Sequence, residues 1–404
     1  MSPPGAPAPP GAPALLSQVN RRNDDLGVNM DVRTSSAAPA EPDAGPTEQH
    51  IEIPPFFCPI EPVMHPDKDA VHRRSGQWAQ RLGLVRNAGE LERWYASTSA
   101  DFYGGMVPNA VTEHYQIAAN WVYWGFSFDD AHCDEGGNCT DPTRFIPVAA
   151  RLLRILDTGD ESLCRGDPHL LGLCDLAHSY RRLATPAQTE RWINAHRRWL
   201  FGVVQQNAQR AAGGPKTLDD FFVVRLHDCG GPPTQSMFEF ANAAEIPGSE
   251  LHAAPVRALT ELFWMVAALD NDRVSRHKEM LGQQDGHNLT DAVRTVTGTD
   301  VQEAEATAIA YRDRLMLLFL RLREQVRRGA SEPLRIYLDS LAHGIRANID
   351  WSLRTPRYTV LYAADGITPA VRLRLNGSVV DSPAVRRAEP LPFPSIAWWW
   401  TQLD

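Results

Sequence analysis

Two short polar stretches carry the residues whose types and spacing are best suited to chemistry. Residues 129–135 read Asp-Asp-Ala-His-Cys-Asp-Glu, four carboxylates in seven positions at the end of an apolar, aromatic-rich run. The second stretch places Asn271, Ser275 and Glu279 at successive intervals of four. On an α-helix this interval is about 6 Å of rise and leaves all three side chains on one face. Such oxygen ligands suit a hard divalent cation, and two clusters suit several cations around a polyanion, most obviously a diphosphate.

Both stretches resemble the metal motifs of the bacterial class I terpene synthases, also called terpene cyclases. The aspartate-rich motif of that family has two adjacent aspartates followed by another acid, and Asp129, Asp130 and Asp134 are similar to it. The spacing to the last acid is longer here than in the family, which leaves open which acid contacts metal. The second metal motif of the family, an Asn-Asp pair, then Ser, then Lys-Glu, is reproduced in order by Asn271, Asp272, Ser275, Lys278 and Glu279.

Two further signatures of the family stand in order along the chain. The family carries a diphosphate-sensing arginine before the second metal motif, and Arg225 lies 46 residues before Asn271. It also carries an Arg-Tyr pair after that motif, and Arg357-Tyr358 begins 78 residues after Glu279. The resemblance extends over about residues 50 to 400, and four signatures at family spacing make it specific.

The resemblance implies a set of site residues and a cofactor. Three Mg²⁺ ions are expected, and Asp129 is the leading ligand of the first motif because the family most often uses its first aspartate. The metal ligands implied are Asp129, Asp130, Asp134, Asn271, Ser275 and Glu279. The residues implied to bind the substrate diphosphate are Arg225, Lys278, Arg357 and Tyr358.

The chain pattern breaks just after the sensing arginine, at a place where the family uses a backbone carbonyl against the developing cation. By position, Asp228 would link Arg225 to Cys229, whose carbonyl would be the effector. Gly230 and Gly231 would provide the backbone freedom that this break needs. Relatives more often have a small residue such as glycine at the effector position, so the cysteine is a departure from the family.

A cyclase also needs a dry, aromatic surface that stabilises cations through its ring quadrupoles. Phe126 lies three residues before Asp129, and Trp351 lies six before Arg357, where relatives carry a cavity tryptophan. We expect these two rings to line the cavity. For the other aromatic residues near the first motif, which are Trp121, Trp124 and Phe128, core packing is the simpler interpretation.

Each motif also has an interpretation that involves no function. The first could be a solvated acidic helix end, the second a polar outer face, and Arg225 a surface ion pair. The pair Asp219-Asp220 lies near the start of a helix, where the helix dipole stabilises acidic side chains. We therefore do not count it as a metal motif. A zinc site around Cys133 and Cys139 is also set aside, because a second ligand pair is lacking.

Composition excludes several classes of protein. The 404-residue chain has a formal net charge of −9, which argues against nucleic acid as a partner. No apolar run reaches the 18 or so residues of a membrane span, so stable membrane insertion is not expected. Six cysteines without CxxC pairing indicate reduced thiols, and no secretory signal is evident, so we expect a cytoplasmic location.

The organisation predicted is all-α, a single helical bundle of the class I terpenoid synthase type around a central apolar cavity. Residues 1–50, rich in Pro and Ala, are expected to form a disordered extension, and residues 51–404 the catalytic domain. Residues 359–404 are expected to form a tail packed on the bundle or over its mouth. The helices predicted span residues 67–84, 112–130, 186–212, 217–228, 249–280, 299–328 and 332–353.

The activity that the resemblance implies is ionisation of a prenyl diphosphate and cyclisation of the allylic cation to a sesquiterpene hydrocarbon or alcohol. Farnesyl diphosphate is the default substrate, and geranyl, 2-methylgeranyl and geranylgeranyl diphosphate stay open. A chain-elongating synthase would carry a second aspartate-rich motif, and here the second motif begins with Asn271-Asp272 instead. A protonation-initiated cyclase would carry an Asp-x-Asp-Asp motif, which the sequence lacks. The alternative of another class is a non-catalytic prenyl-diphosphate-binding protein. A homodimer is compatible with this interpretation.

Overall fold

The chain folds mainly into α-helices, which confirms the all-α class predicted from the sequence. A computed structural model describes residues 46–134, 141–281, 287–362, 368–385 and 389–404. Its longer helices are α1 (Lys68–Arg81), α2 (Ala88–Ala96), α3 (Thr112–Asp129), α4 (Pro142–Thr158), α5 (Pro168–Leu183), α6 (Pro186–Ala211), α7 (Leu218–Asp228), α8 (Ala254–Leu281), α9 (Leu289–Thr297), α10 (Val301–Arg327) and α11 (Glu332–Ser352). Shorter helical segments are Ser99–Gly104, Asp130–Asp134, Glu161–Cys164, Gly231–Ser236, Phe238–Ala241, Gly248–Leu251, Pro356–Thr359, Pro394–Ala397 and Trp400–Gln402.

Local sequence explains where many helices begin. The Thr185 side chain accepts from the backbone N–H of Gln188, whose own side chain reaches back to the Thr185 N–H, so α6 starts with a capping box. Thr217 and Asp220 form the same box at the start of α7, where the sequence predicts a helix to begin. Each cap satisfies backbone donors that have no partner inside the helix.

One predicted helix is divided. The sequence predicts a continuous helix over residues 249–280, whereas the structure has Gly248–Leu251 followed by α8. Pro255 lacks a backbone N–H, and its ring would clash with the carbonyl of Leu251 in a continuous helix. Proline is tolerated in the first turn, so α8 begins at Ala254, immediately before it.

The helix α8 lies at the centre of the bundle. It packs against α10 and α11 on one side and against α7 on another. The helix α3 packs against α1 and α5, and α6 packs against α4 and α7. Large aromatic side chains such as Trp124 and Trp192 fill the spaces between these layers and are almost fully buried. The bundle therefore presents inward faces of α3, α6, α7, α8 and α11 to a common interior.

In the described part of the chain, five short strands lie beside the helices. In one sheet β1 (Thr47–Glu52) pairs in parallel with β4 (Pro369–Asn376), which also pairs antiparallel with β3 (Val360–Tyr362). A second sheet joins β2 (Phe56–Phe57) to β5 (Val379–Val380). Strand signals are scarce in the sequence, and β1 and β2 form through pairing across more than 300 residues. The extension predicted for residues 1–50 thus overlaps β1, and residues 1–45 lie outside the described part.

The C-terminal tail packs on the bundle. Phe393 and Trp399 are buried, and the Trp399 indole N–H donates to Glu261 of α8 at 2.8 Å. Within the described part, none of the helices combines the length and apolar character that a membrane span requires.

Candidate active site

The two predicted metal motifs meet at one cavity. Asp129 lies at the C-terminal end of α3 and lines this cavity, as do Asn271, Ser275 and Glu279 of α8. Phe263 also lines the cavity and precedes Asn271 by eight residues, about 12 Å along the helix. The cavity therefore has a polar end at the motifs and an apolar end deeper in the bundle.

The second motif presents three side-chain oxygens on one face of α8. Ser275 Oγ donates to Glu279 Oε1 at 2.5 Å, so these two groups already lie side by side. The Asn271 amide nitrogen donates to the Tyr358 hydroxyl at 2.6 Å, which leaves the amide oxygen available for a ligand. Asn, Ser and carboxylate oxygens in this arrangement are a donor set that a hard divalent cation accepts.

Arg225 joins α7 to the helix of the second motif. Its Nη2 lies 2.5 Å from Asp272 Oδ1, and its Nη1 lies 2.8 Å from Asp228 Oδ1. Arg225 is only 7% exposed, yet it lines the cavity together with Asp228. Burial opposes its charge, but the two carboxylates outweigh it and hold the pKa of Arg225 well above its usual range. The cavity therefore contains a fixed cation at its polar end.

The two acids that hold Arg225 differ in their own ionisation. Burial raises the pKa of Asp272 to about 7, although the Arg225 guanidinium opposes this shift. Burial also acts on Asp228, but Arg225 and His287 outweigh it and lower the pKa of Asp228. Asp272 also accepts from the Leu289 backbone N–H at 3.0 Å, so both its oxygens are engaged inside the protein. Asp272 does not line the cavity.

Asp130 occupies a different position from Asp129. It lies in a groove beside the cavity, where Arg357 Nη1 is 2.6 Å from Asp130 Oδ2 and Lys278 Nζ is 3.8 Å from Oδ1. Burial opposes its ionisation, but these two cations outweigh burial and lower the pKa of Asp130. Residues 130–134 form a π-helical turn, a feature frequent at functional sites. The Asp134 side chain lies outside the described part of the chain.

Arg357 and Tyr358 close the polar end against a stack of rings. The Arg357 guanidinium lies over the Phe126 ring, 4.5 Å from its centroid, and Phe126 stacks on Trp351 with centroids 5.2 Å apart. The Trp351 indole N–H donates to the Ser97 carbonyl at 2.8 Å, away from the stack. Phe126, Trp351, Arg357 and Tyr358 all line the cavity, so the two rings expected there are at its wall.

The break after α7 lies on the cavity wall. Cys229 is followed by Gly230, whose φ of 69° is in the left-handed region that favours glycine. Residues 232 and 233 are prolines, so neither can donate a backbone N–H to the Cys229 carbonyl as a continuing helix would. Cys229 lines the cavity, and burial raises the pKa of its thiol to about 11, which keeps the thiol protonated.

The deeper wall is aromatic. Its rings belong to Phe102, Trp121, Trp199, Phe263 and Trp264. The Trp121 indole N–H donates to His196 at 2.8 Å. Trp124 and Phe128, also near the first motif, are fully buried in the core and are not among the lining residues.

The aspartate pair set aside from the sequence has a structural role, whereas Cys139 of the zinc site also set aside lies outside the described residues. Asp220 completes the capping box of α7, and Asp219 accepts from the backbone N–H of Ser395 at 3.0 Å. Among the described residues, no three His, Cys, Asp or Glu side chains gather closely enough to hold a metal by themselves. A cation in the cavity would therefore depend on Asn271 and Ser275 and on oxygens brought by an anionic ligand.

Several cavity residues were not identified from the sequence. Arg210, Gln206 and Asn348 line the cavity, and so does His287, whose Nε2 lies 3.1 Å from Asp228 Oδ2. These residues belong to no recognisable motif. An isolated polar residue is usually solvated, so its position in the sequence does not indicate that it lines a cavity. The only available signal was for His287-Asn288, since asparagine before an apolar run predicts a helix cap next to the second motif.

Comparison with known proteins decides the family. A family model described as "Terpene synthase family 2, C-terminal metal binding" matches residues 120–316. Spiroviolene synthase from Streptomyces violens is 38% identical over 88% of this chain and 98% of its own length. The chain belongs to the bacterial class I terpene synthases.

Other relatives agree with this assignment. (+)-T-muurolol synthase from Streptomyces clavuligerus, described as farnesyl diphosphate cyclizing, is 33% identical over 85% of this chain and 81% of its own. The crystal structure of the SVS_A2 protein from ancestral sequence reconstruction superimposes with a TM-score of 0.76 at 38% identity, covering 86% of this chain and 98% of that one. The class I terpene synthase fold predicted from the sequence is thereby confirmed.

The site of this terpene synthase fits a divalent metal. The matched family model is a metal-binding domain, and its range includes both acidic motifs. Carboxylate, amide and hydroxyl oxygens on facing elements, with Arg225, Arg357 and Lys278 nearby, can hold cations and a polyanion together. Terpene synthases act on prenyl diphosphates, so the enzyme is a terpene cyclase whose substrate carries a diphosphate.

Proposed function

We propose that this terpene synthase is an Mg²⁺-dependent cyclase that binds three Mg²⁺ ions and ionises farnesyl diphosphate to form a sesquiterpene hydrocarbon or alcohol. The observation that carries the proposal is the convergence of Asp129 with the face of Asn271, Ser275 and Glu279 at one end of an aromatic cavity. The farnesyl diphosphate named for the T-muurolol synthase supports this chain length.

The metal ligands divide between two elements. Asp129 would hold cations from α3, and Asn271, Ser275 and Glu279 would hold a further one from α8. Bound Mg²⁺ supplies positive charge that neutralises the diphosphate as it leaves. Asp130 pairs with Arg357 in this structure, so we assign it to the outer part of the first site, where it would approach cations once Arg357 turns to the diphosphate. Asp134 is kept as a proposed ligand on its place in the sequence motif alone.

The diphosphate would be held by the cations of the chain itself. Arg225 and Arg357 can each form paired hydrogen bonds to phosphate oxygens, and Tyr358 and Lys278 can donate to others. Arg357 is already held at the polar end by Asp130 and by the Phe126 ring. Its transfer from Asp130 to the substrate would couple binding to closure of this end.

The allylic cation would be stabilised by rings and by one carbonyl. Phe126 and Trp351 belong to the wall at the polar end, where they would lie near the carbon atom that loses the diphosphate. The Arg357 guanidinium covers the Phe126 ring in this structure, so Phe126 would face the cation only once Arg357 turns to the diphosphate. The Cys229 carbonyl lacks helical donors because of the two prolines that follow, so its dipole is available to the cation. Asp228 connects this carbonyl to Arg225, the residue that would contact the leaving group.

The test is incubation of the purified chain with Mg²⁺ and each of the geranyl, 2-methylgeranyl, farnesyl and geranylgeranyl diphosphates, followed by mass spectrometry. A cyclic C15 product from farnesyl diphosphate supports the proposal. If only a substrate of another chain length gives a cyclic product, the cyclase activity is supported and farnesyl diphosphate is wrong as the substrate.

Diphosphate release separates the cyclase from a non-catalytic binding protein. Release that requires both Mg²⁺ and a prenyl diphosphate supports the cyclase, and a Glu279→Ala variant is the matched negative control. Binding without release from any of the four substrates would favour the binding protein. Size-exclusion chromatography of the same preparation tests the homodimer, which stays a prediction, as does the cytoplasmic location.

A further inference from the structure

Three consecutive residues contact three different acids of the site. His287 Nε2 lies 3.1 Å from Asp228 Oδ2, and the Leu289 backbone N–H donates to Asp272 Oδ2 at 3.0 Å. Between them, the Asn288 amide nitrogen donates to Glu279 Oε2 at 3.2 Å. We call residues 287–289 the acid bracket. All three are buried, so these contacts form in a region of low dielectric where each is stronger than in water.

The Asn288 side chain uses all its principal hydrogen-bonding groups. Its oxygen accepts from the Asp291 N–H at 2.9 Å and thereby caps α9. Its amide nitrogen has two N–H donors, and one goes to Asp291 Oδ2 at 2.9 Å while the other goes to Glu279. Capping therefore occupies the oxygen, and the contact with Glu279 depends on the nitrogen alone.

Glu279 is held on both sides of its carboxylate. Ser275 contacts Oε1 and Asn288 contacts Oε2. The Arg276 guanidinium lies 3.0 Å from Asp291 Oδ1, which ties the start of α9 to α8 a second time. A long glutamate side chain would otherwise sample several rotamers, so Asn288 reduces the conformational freedom that the metal would have to restrict.

Asp228 is likewise held between two groups. Arg225 contacts Oδ1, and His287 lies against Oδ2. The Asp228 side chain is fully buried and directly precedes Cys229, the C-cap residue at which α7 ends. His287 thus opposes any rotation of the carboxylate that would follow movement of Arg225.

We propose that Asn288 and His287 are positioning residues with separate targets: Asn288 orients Glu279 for a divalent cation, and His287 holds Asp228 against Arg225. The proposal rests on the cyclase function proposed above and deepens it. Groups that orient metal ligands typically contribute about 10- to 100-fold to metal affinity or activity. The two residues predict different kinetic signatures, which a purely structural role would not produce.

The test for Asn288 uses Asn288→Asp and Asn288→Ser. Both substitutes are good N-caps, and neither has the amide donors. We expect the melting temperature of Asn288→Ser to stay close to wild type. In both variants the Mg²⁺ concentration for half-maximal diphosphate release should rise about tenfold. The carboxylate introduced by Asn288→Asp would also repel Glu279, which could prevent this variant from folding. The serine variant introduces no charge, so it tests the role of the amide donors by itself. Asn87→Asp is the matched control, because Asn87 caps α2 away from the site in the same manner.

A second measurement needs no turnover. Mg²⁺ with inorganic diphosphate should raise the melting temperature of the wild type, and the Asn288 variants should require about tenfold more Mg²⁺ for the same rise. If the wild type turns over no prenyl diphosphate, the proposed function fails while this measurement still tests Asn288. An unchanged Mg²⁺ dependence in both Asn288 variants would overturn the assignment.

The test for His287 uses His287→Asn and His287→Phe. Turnover should fall about tenfold, while the Mg²⁺ concentration for half-maximal release stays within about twofold of wild type, because His287 contacts no metal ligand. The asparagine variant, which retains a donor, should be the more active of the two. Equal activity of both variants with wild type, or a raised Mg²⁺ requirement, would contradict the role given to His287.

Discussion

Arg225 and Asp272 form a buried ion pair that joins the two halves of the site. The Nη2–Oδ1 distance is 2.5 Å, and the side chains are 9% and 4% exposed. Asp272 directly follows Asn271, so the diphosphate-sensing arginine contacts the neighbour of a metal ligand. The pair thereby links Arg225 of α7 directly to α8.

Replacing Arg225 by glutamine should destabilise the fold as well as abolish turnover. Removal of the guanidinium leaves Asp228 and Asp272 buried without their cation, at a cost of about 3–5 kcal/mol. Asp272→Asn should be milder, because Arg225 keeps Asp228. The double variant should be less destabilised than the sum of the singles in urea unfolding. Additive effects would show that the pair does not interact energetically.

Glu279→Ala and Asn271→Ala should each reduce turnover about 100-fold or more, since each removes a ligand that would hold charge at the leaving group. Both side chains line the cavity, and the changes leave no larger group in the core. Circular dichroism and melting temperature should stay close to wild type. The control is Glu245→Ala, which removes an exposed acid and should retain full activity. Wild-type kinetics for either site variant would place the second metal elsewhere.

Deletion of residues 1–45 should leave an active enzyme, whereas deletion of residues 1–57 should not. The longer deletion removes β1, β2 and the backbone carbonyls of Pro54 and Phe57, which accept from Arg273 and Arg312. These arginines are buried and would lose hydrogen-bond acceptors. Melting temperature and diphosphate release of the two truncations would be compared. Equal stability of both would show that the N-terminal strands contribute nothing.

His196 should make the protein less stable in mild acid. Burial lowers the pKa of His196 from 6.5 to about 4, so the unfolded chain takes up the proton first. The free energy of unfolding should be constant above pH 6.5 and fall as the pH drops towards 4, by about 2 kcal/mol between pH 7.5 and 5 from this residue. His196→Gln retains an acceptor for Trp121 and a donor for the Trp192 carbonyl, and should weaken this dependence in urea unfolding. An unchanged slope would mean that another group titrates.

Trp351→Leu should change the products more than the stability of the substrate complex. The indole face belongs to the cavity wall, and its loss removes about 0.5–2 kcal/mol of cation stabilisation. Product analysis by mass spectrometry should show more acyclic or early-quenched products. Trp351→Phe, which keeps a ring, is the control, and an unchanged product profile in the leucine variant would contradict a role in catalysis.

Local features of this protein followed from sequence patterns. The cap at Thr217, the helix over residues 112–129 and the single face of Asn271, Ser275 and Glu279 all depend on hydrogen bonds or periodicity within a few residues. The division before α8 was missed even so, because the pattern of apolar residues continues through it and only Pro255 marks the break.

The sequence by itself determined which residues share a helical face, because the spacing of residues along a helix sets the direction in which their side chains point. It also determined that the four motifs of the family are present, because these are defined by residue type and order. Only the tertiary structure decided that Asp129 faces the cavity while Asp130 pairs with Arg357, that residues 287–289 contact three acids, and that β1 pairs with β4. These contacts join residues far apart in the chain, and their energies depend on burial and on the packing of whole helices, which no short window of sequence contains.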